Sequence, residues 1–228
     1  MPNKIFALAT LFIFLQQNLH GQQKKGFSGK LIYSYSVADT STQEYFPKAY
    51  SVIYSNDSII RIENFTEQFG PQVLIKHLIH NKSYLMIQTE LGDYAIQTDY
   101  ENVTTEVSNY TIKKKLGSTK IAGIKAKKLI VTHKDFSTPQ TFYYAPKINS
   151  KYLNAYDEFP GLLLEYYVNS PVGLLKYQLE KIEYSVPDYS LFGIPTSFKK
   201  IAFDEFVKIM TSNNSEEQNS KTENPEGN

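Results

Sequence analysis

The stretch that most constrains this chain is Glu158-Phe159-Pro160-Gly161-Leu162-Leu163-Leu164-Glu165-Tyr166-Tyr167-Val168. A Pro-Gly pair presets φ at the first turn position and permits φ > 0 at the second. The backbone is therefore expected to reverse here and enter seven mostly apolar residues in extended form. That marks a core strand rather than a site, and other strands must pack before and after it.

The flanking sequence supplies them. Phe27, Leu31, Tyr33, Tyr35 and Val37 alternate with Ser28, Lys30, Ser34 and Ser36, which predicts a half-buried antiparallel strand. Residues 38–47 are polar and close on a proline, a loop. Extended runs at 49–55 and 58–64 flank Asn56-Asp57, a pair that tolerates φ > 0 and so predicts a tight hairpin. After Gly70-Pro71, runs at 73–79, 83–89 and 94–98 are parted by Asn81-Lys82 and Gly92-Asp93 and predict a meander. Residues 100–109 are acidic and polar and fit a short helix or a loop. Strands resume at 110–116 and 124–133 around a turn region 117–123, then at 141–145, 162–168 and 173–185. The last two make a hairpin about Asn169-Ser170-Pro171, and Pro187 is expected to end the sheet. Residues 191–195 read as extended. Phe203, Phe206, Val207 and Met210 then follow i, i+3, i+4, i+7, which predicts a short amphipathic helix, 203–210, needing an apolar surface to lie on. The concave face of the sheet is the candidate. Composition agrees with a mainly β chain, with 18 Tyr and 14 Phe and no Trp.

The two ends differ from the middle. Lys4, the apolar run Ile5 to Leu15 and a polar stretch ending at Gly21 have the order of a cleaved signal peptide. The run is shorter than the roughly 18–20 apolar residues of a membrane span. Residues 1–21 are thus expected to be a signal peptide, 22–210 a single β-rich domain, and 211–228 a disordered polar tail of Ser, Asn, Glu, Gln and Lys. A periplasmic or secreted location follows from this reading. The cysteine count is 0, which removes an acylated lipoprotein cysteine, disulfides, thiol catalysis and thiolate metal sites. The 24 Lys and Arg nearly balance the 23 Asp and Glu, which speaks against nucleic acid as a general partner.

Four segments carry a resemblance. Ile121-Ala122-Gly123-Ile124-Lys125-Ala126-Lys127-Lys128-Leu129-Ile130-Val131, Tyr143-Tyr144-Ala145-Pro146-Lys147-Ile148, Phe159-Pro160-Gly161-Leu162-Leu163-Leu164-Glu165, and Phe192-Gly193-Ile194-Pro195 with Phe203-Asp204-Glu205-Phe206 occur in that order. In this they resemble small exported Bacteroidota proteins of the GLPGLI type and a neighbouring family of unknown function. The resemblance covers roughly residues 118–210, and the earlier meander shares it only in style. It implies a fold similar to that of the periplasmic lipoprotein carrier LolA: a single antiparallel curved sheet, an open half-barrel, with a helix packed on an apolar concave face. It implies no activity. Ala126 stands where such proteins often carry cysteine. Ala202 stands where they often carry a threonine heading the last helix, a cap worth about 1 kcal/mol.

Candidate chemistry is sparse. His77 and His80 differ by an odd number along a predicted strand, so they are expected on opposite faces and unable to share a metal. No G-x-S-x-G elbow places a serine nucleophile. Asp157-Glu158 precede a turn and Asp204-Glu205 sit near a helix start, where solvation and the helix dipole account for acids. No enzyme activity, cofactor or metal is expected. The strongest charge feature is Lys113, Lys114, Lys115, Lys120, Lys125, Lys127 and Lys128, with no acid between Glu106 and Asp135. If the two strands carrying them pair, the lysines make one patch. It would either protect a sheet edge from aggregation or meet an anionic membrane surface or acidic polysaccharide. Two functions remain open. One is a carrier or sensor of an apolar ligand, such as a lipid acyl chain, on an inner face made by Leu162, Leu164, Tyr166, Phe203, Phe206, Val207 and Met210. The other is a structural or interaction module of the cell envelope whose inner face is filled by its own side chains.

Overall fold

The computed structural model describes residues 24–38, 49–66, 70–80, 82–99, 110–153, 156 and 158–222. The expected signal peptide, most of the loop at 38–47, the polar segment 100–109 and the last six residues lie outside the described residues. Strands β1 (Ser28–Val37), β2 (Ala49–Asn56), β3 (Ile59–Thr66), β4 (Gly70–His77), β5 (Lys82–Thr89) and β6 (Gly92–Asp99) form the first half of a sheet. Strands β7 (Thr111–Ile121), β8 (Ile124–Thr132), β9 (Gln140–Ala145), β10 (Leu162–Ser170), β11 (Gly173–Glu183) and β12 (Lys199–Ala202) form the rest. The spatial order is β12-β6-β5-β4-β3-β2-β1-β11-β10-β9-β8-β7. Its ends do not meet, so the sheet is open and curved, mostly strand, with one C-terminal helix, as the fold class expected. The meander pairs in sequence order as its turn residues predict, and β1 joins the two halves by pairing with both β2 and β11.

Strand register defines two faces. Leu31, Ile53, Ile62, Leu74, Leu85, Ile96 and Ile201 are successive cross-strand partners and so share one face, called the inner face below. β1 alternates buried and half-buried along its whole length, with Leu31, Tyr33, Tyr35 and Val37 inward. On the outer face, Ile59, Ile75, Met86 and Ala95 are covered by Phe192, Ile194 and Phe198. The segment that covers them corrects two expectations. Pro187 does not end the sheet, and residues 191–195 are not simply extended. After β11 the chain forms a 3-10 turn, Tyr189–Phe192, capped by Asp188 through Ser190 N–H at 2.9 Å. It is pinned to the sheet by Arg61 Nη1 donating to the Leu191 carbonyl at 3.1 Å. It then delivers β12 parallel to β6. Four residues with two lysines show no alternation, so this strand leaves no mark in the sequence.

Three further corrections are local. Gly161 does not adopt φ > 0. It is required because a Cβ there would lie 2.2 Å from the Ala145 carbonyl oxygen, so glycine serves close strand approach. The turn region 117–123 shrinks to Ala122-Gly123 (φ 47° and 77°), since β7 continues through a bulge to Ile121. The last helix, α1 (Phe203–Thr222), runs well past Met210, so the part of the expected tail up to Thr222 is helical. Thr211 Oγ1 and Ser212 Oγ donate to the Val207 and Lys208 carbonyls at 2.9 and 2.8 Å, bonds compatible with the helix continuing there.

Candidate functional site

The inner face is built from strand positions that alternate by two, and its filling changes along the sheet. At β10, Leu162 and Leu164 are fully buried and Tyr166 nearly so. Tyr166 stacks on Tyr177 with ring centroids 4.9 Å apart and 8° between planes, and meets Tyr33 and Tyr156 edge-on at 5.8 and 5.3 Å. Phe142 stacks on Phe159 at 5.7 Å behind them. The Tyr33 hydroxyl donates to the Leu163 carbonyl at 2.7 Å and the Tyr156 hydroxyl to the Tyr167 carbonyl at 2.7 Å, which satisfies two phenols that would otherwise be costly to bury. Burial pushes the phenols of Tyr33, Tyr156, Tyr166 and Tyr177 well above the usual tyrosine range, so they stay neutral at any physiological pH. This end of the face is filled by the chain's own aromatic rings.

The helix α1 lies on the same face but at the other end of the strand order. Phe206 and Ile209 pack beside Tyr94, Ile96 and Ile201, with the Phe206 and Tyr94 rings 5.7 Å apart. The expected contact of the helix with Leu162, Leu164 and Tyr166 is therefore not made: β6 and β10 are separated by six strands in the sheet order. Phe203 and Val207 are 57% and 40% exposed rather than inward-facing, because with Phe206 and Ile209 against β6 their side of the helix turns to solvent. Met210 is half-buried. Between the aromatic end and the helix, Leu74, Leu78, Leu85 and Ile87 are apolar and only half-buried. Sequence reasoning missed this strip: Leu85 and Ile87 alternate in β5, but β4 supplies only Leu74, and Leu78 lies in the turn after it.

The lysine strands pair directly. Lys115 faces Lys128 and Lys120 faces Lys125 across the β7–β8 ladder, and Lys113 and Lys114 face Ile130 and Leu129. Leu116 and Gly117 are looped out between Lys115 and Ser118, with Gly117 at φ 115°. The seven lysines thus lie on one strand pair at the edge of the sheet. Two shallow grooves flank Lys125 and Lys127. One, of about 420 Å³, reaches over the bulge and Tyr144; the other, of about 400 Å³, runs past Ile124, Ile148 and Tyr184. None of these lysines has an ion-pair partner among the described residues.

The histidines need a correction. His77 ends β4 and His80 follows in a turn, so the two-residue strand period no longer applies, and the rings come within 6.5 Å instead of facing apart. Burial first, then the neighbouring charges of His80 and Lys82, holds the His77 imidazole below its usual range. Among the described residues no group of three His, Asp or Glu is placed to hold a metal. Glu205 pairs with Lys199 at 3.0 Å, and Asp157 lies outside the described residues.

No protein-family model matches the chain, and no curated protein matches it. Among solved structures it is similar to PNGF-II, with a TM-score of 0.46 and 12% identity over 79% of this chain and 32% of that one. It is also similar to the Mycobacterium tuberculosis lipoprotein LppX, with a TM-score of 0.36 and 10% identity over 70% of this chain and 89% of that one. The chain spans 32% of the length of PNGF-II.

Proposed function

We propose that this protein is an exported, non-enzymatic binding protein that holds an apolar ligand, such as an acyl chain, on the inner face of its open sheet. The observation that carries this is the half-buried strip of Leu74, Leu78, Leu85 and Ile87 on the inner face between the aromatic end and the helix, a strip interrupted by the buried Lys76 and its cross-strand partner Ser83. A strip of that kind gains about 25 cal/mol for each Å² that a ligand removes from water. The location is the one the signal-peptide reading of residues 1–21 suggests, and the carrier role rests on the apolar inner face, since the resemblance to exported GLPGLI-type proteins implies no activity. The fully buried Leu162, Leu163 and Leu164 favour the second reading, an envelope interaction module with a self-filled core. Thermal melting with added fatty acid separates the two. A carrier gains stability by mass action, so its melting temperature climbs with fatty-acid concentration, and Leu85→Asp removes most of that climb. If fatty acids and phospholipids leave the wild-type transition unmoved over a wide concentration range, the carrier reading falls and the self-filled module stands.

A further inference from the structure

Leu116 is the most exposed large apolar side chain of the described residues, at 101% of its reference area. It stands at the tip of the β7 bulge, directly after Lys113, Lys114 and Lys115, where Gly117 at φ 115° lets the backbone loop out. Around it the β7–β8 ladder sets Lys115 opposite Lys128 and Lys120 opposite Lys125. Like charges directly across a ladder oppose strand pairing, and no acid among the described residues neutralises these. Edge protection asks only for some charge on the outermost strand. It does not call for lysines on the second strand, for like-charged cross-strand pairs, or for a leucine held fully in water among them.

We propose that this bulge is a peripheral docking site for a bilayer surface rich in anionic phospholipid. The register places Lys115 and Lys128 on one face of the strand pair and Lys120, Lys125 and Lys127 on the other, so it is with its edge toward the bilayer that the pair brings both groups to the headgroup phosphates, while Leu116 enters the boundary between headgroups and acyl chains. An interfacial element works in this way, through electrostatic attraction joined to a small buried apolar area. The exposed leucine decides for a membrane over an acidic polysaccharide, which offers the same charge but no apolar layer to receive it. The inference does not rest on the carrier reading, since the edge and the half-buried strip are different parts of the sheet.

The absence of tryptophan makes the test direct. Leu116→Trp introduces one tryptophan at the tip, and its emission is followed with phosphatidylcholine vesicles, with mixed phosphatidylcholine and phosphatidylglycerol vesicles, and with soluble polygalacturonate. The expected result is a blue shift with the anionic vesicles alone. In vesicle sedimentation, Lys115→Gln and Lys125→Gln should each weaken binding about fivefold, and raising the salt should weaken it further. Leu116→Ser should weaken it by up to about tenfold. Because these side chains are exposed and the two lysine changes relieve cross-strand repulsion, the variants' melting temperatures should not fall below wild type, which separates lost docking from lost folding. Binding that Leu116→Ser leaves unchanged, a response to polygalacturonate equal to that with vesicles, or sedimentation with neutral and anionic vesicles alike would each overturn the proposal.

Discussion

Asp57 is where one residue joins three parts of the chain. It sits at φ 71° in the β2–β3 turn, and its carboxylate accepts hydrogen bonds from the Tyr152 hydroxyl and from Lys151 Nζ, the latter at 2.8 Å. The Tyr152 oxygen in turn accepts the Phe27 N–H at 2.6 Å, and Ser55 Oγ donates to the Phe27 carbonyl at 3.0 Å. Burial raises the Asp57 carboxyl, but the hydrogen bonds from Lys151 and Tyr152 and the lysine charge outweigh it and hold the group below the usual carboxylate range. A depressed folded value means that this contribution is present above the unfolded pKa, near pH 4, and is lost as pH falls through the folded value. Wild type should therefore lose stability on acidification below about pH 4 more steeply than Asp57→Asn, measured by urea unfolding at stepped pH. Tyr152→Phe leaves the buried Phe27 N–H unpaired and should cost about 1–3 kcal/mol at neutral pH. Equal acid limbs for wild type and Asp57→Asn would sink this account. At this scale the sequence was half legible. Asn56-Asp57 announces a turn through its local chemistry, whereas nothing in local spacing announces a tyrosine 95 positions away.

Among elements, α1 shows what periodicity does and does not convey. The spacing of Phe203, Phe206, Val207 and Met210 is helical, and the helix is there. Periodicity states that an apolar side exists and leaves open which surface receives it. Here the receiving surface is the Tyr94, Ile96 and Ile201 end of the inner face, set by β12, a strand without a legible pattern that carries the chain straight into the helix. The consequence is an unequal division of energy. Leu164 is fully buried among aromatic rings, and Leu164→Ala should cost about 2–5 kcal/mol through lost transfer and cavity. Phe206 is only half-buried at the edge, so Phe206→Ala should fall below the roughly 3–5 kcal/mol of a fully packed ring. Urea titration of both variants gives the order. A Phe206→Ala cost larger than that of Leu164→Ala would mean the helix is part of the main core. The lysine strands were the better-read elements, since charge density survives any register, but the bulge that lifts Leu116 between them follows from pairing geometry and could not be seen beforehand.

Over the whole molecule, β1 is the hinge of the topology. The meander β2–β6 reads directly from its turns because each strand pairs with its neighbour in sequence. The union of the two halves does not, because Lys30 pairs with Glu183 and Val37 with Leu175, partners that no local signal connects. Closing so long a loop has an entropy cost that only many contacts can offset, and here they are supplied at the seam by the inward residues of β1. Tyr33 is fully buried there, bonded to the Leu163 carbonyl and in ring contact with Tyr166 of β10. Stability should accordingly be concentrated at the seam and thin toward both ends of the strand order. Native-state hydrogen exchange should find the slowest backbone amides in β1, β10 and β11, opening only with global unfolding, and the fastest strand amides in β12 and β7. Both edge strands have a neighbour on one side only among the described residues, and β7 in addition is solvent-exposed along almost its full length. Tyr33→Ala should then lower the protection of β2–β6 and of β8–β11 together, because it weakens the strand common to both. If instead the exchange of one half changes while the other keeps its wild-type protection, the halves open independently, and β1 belongs energetically to only one of them.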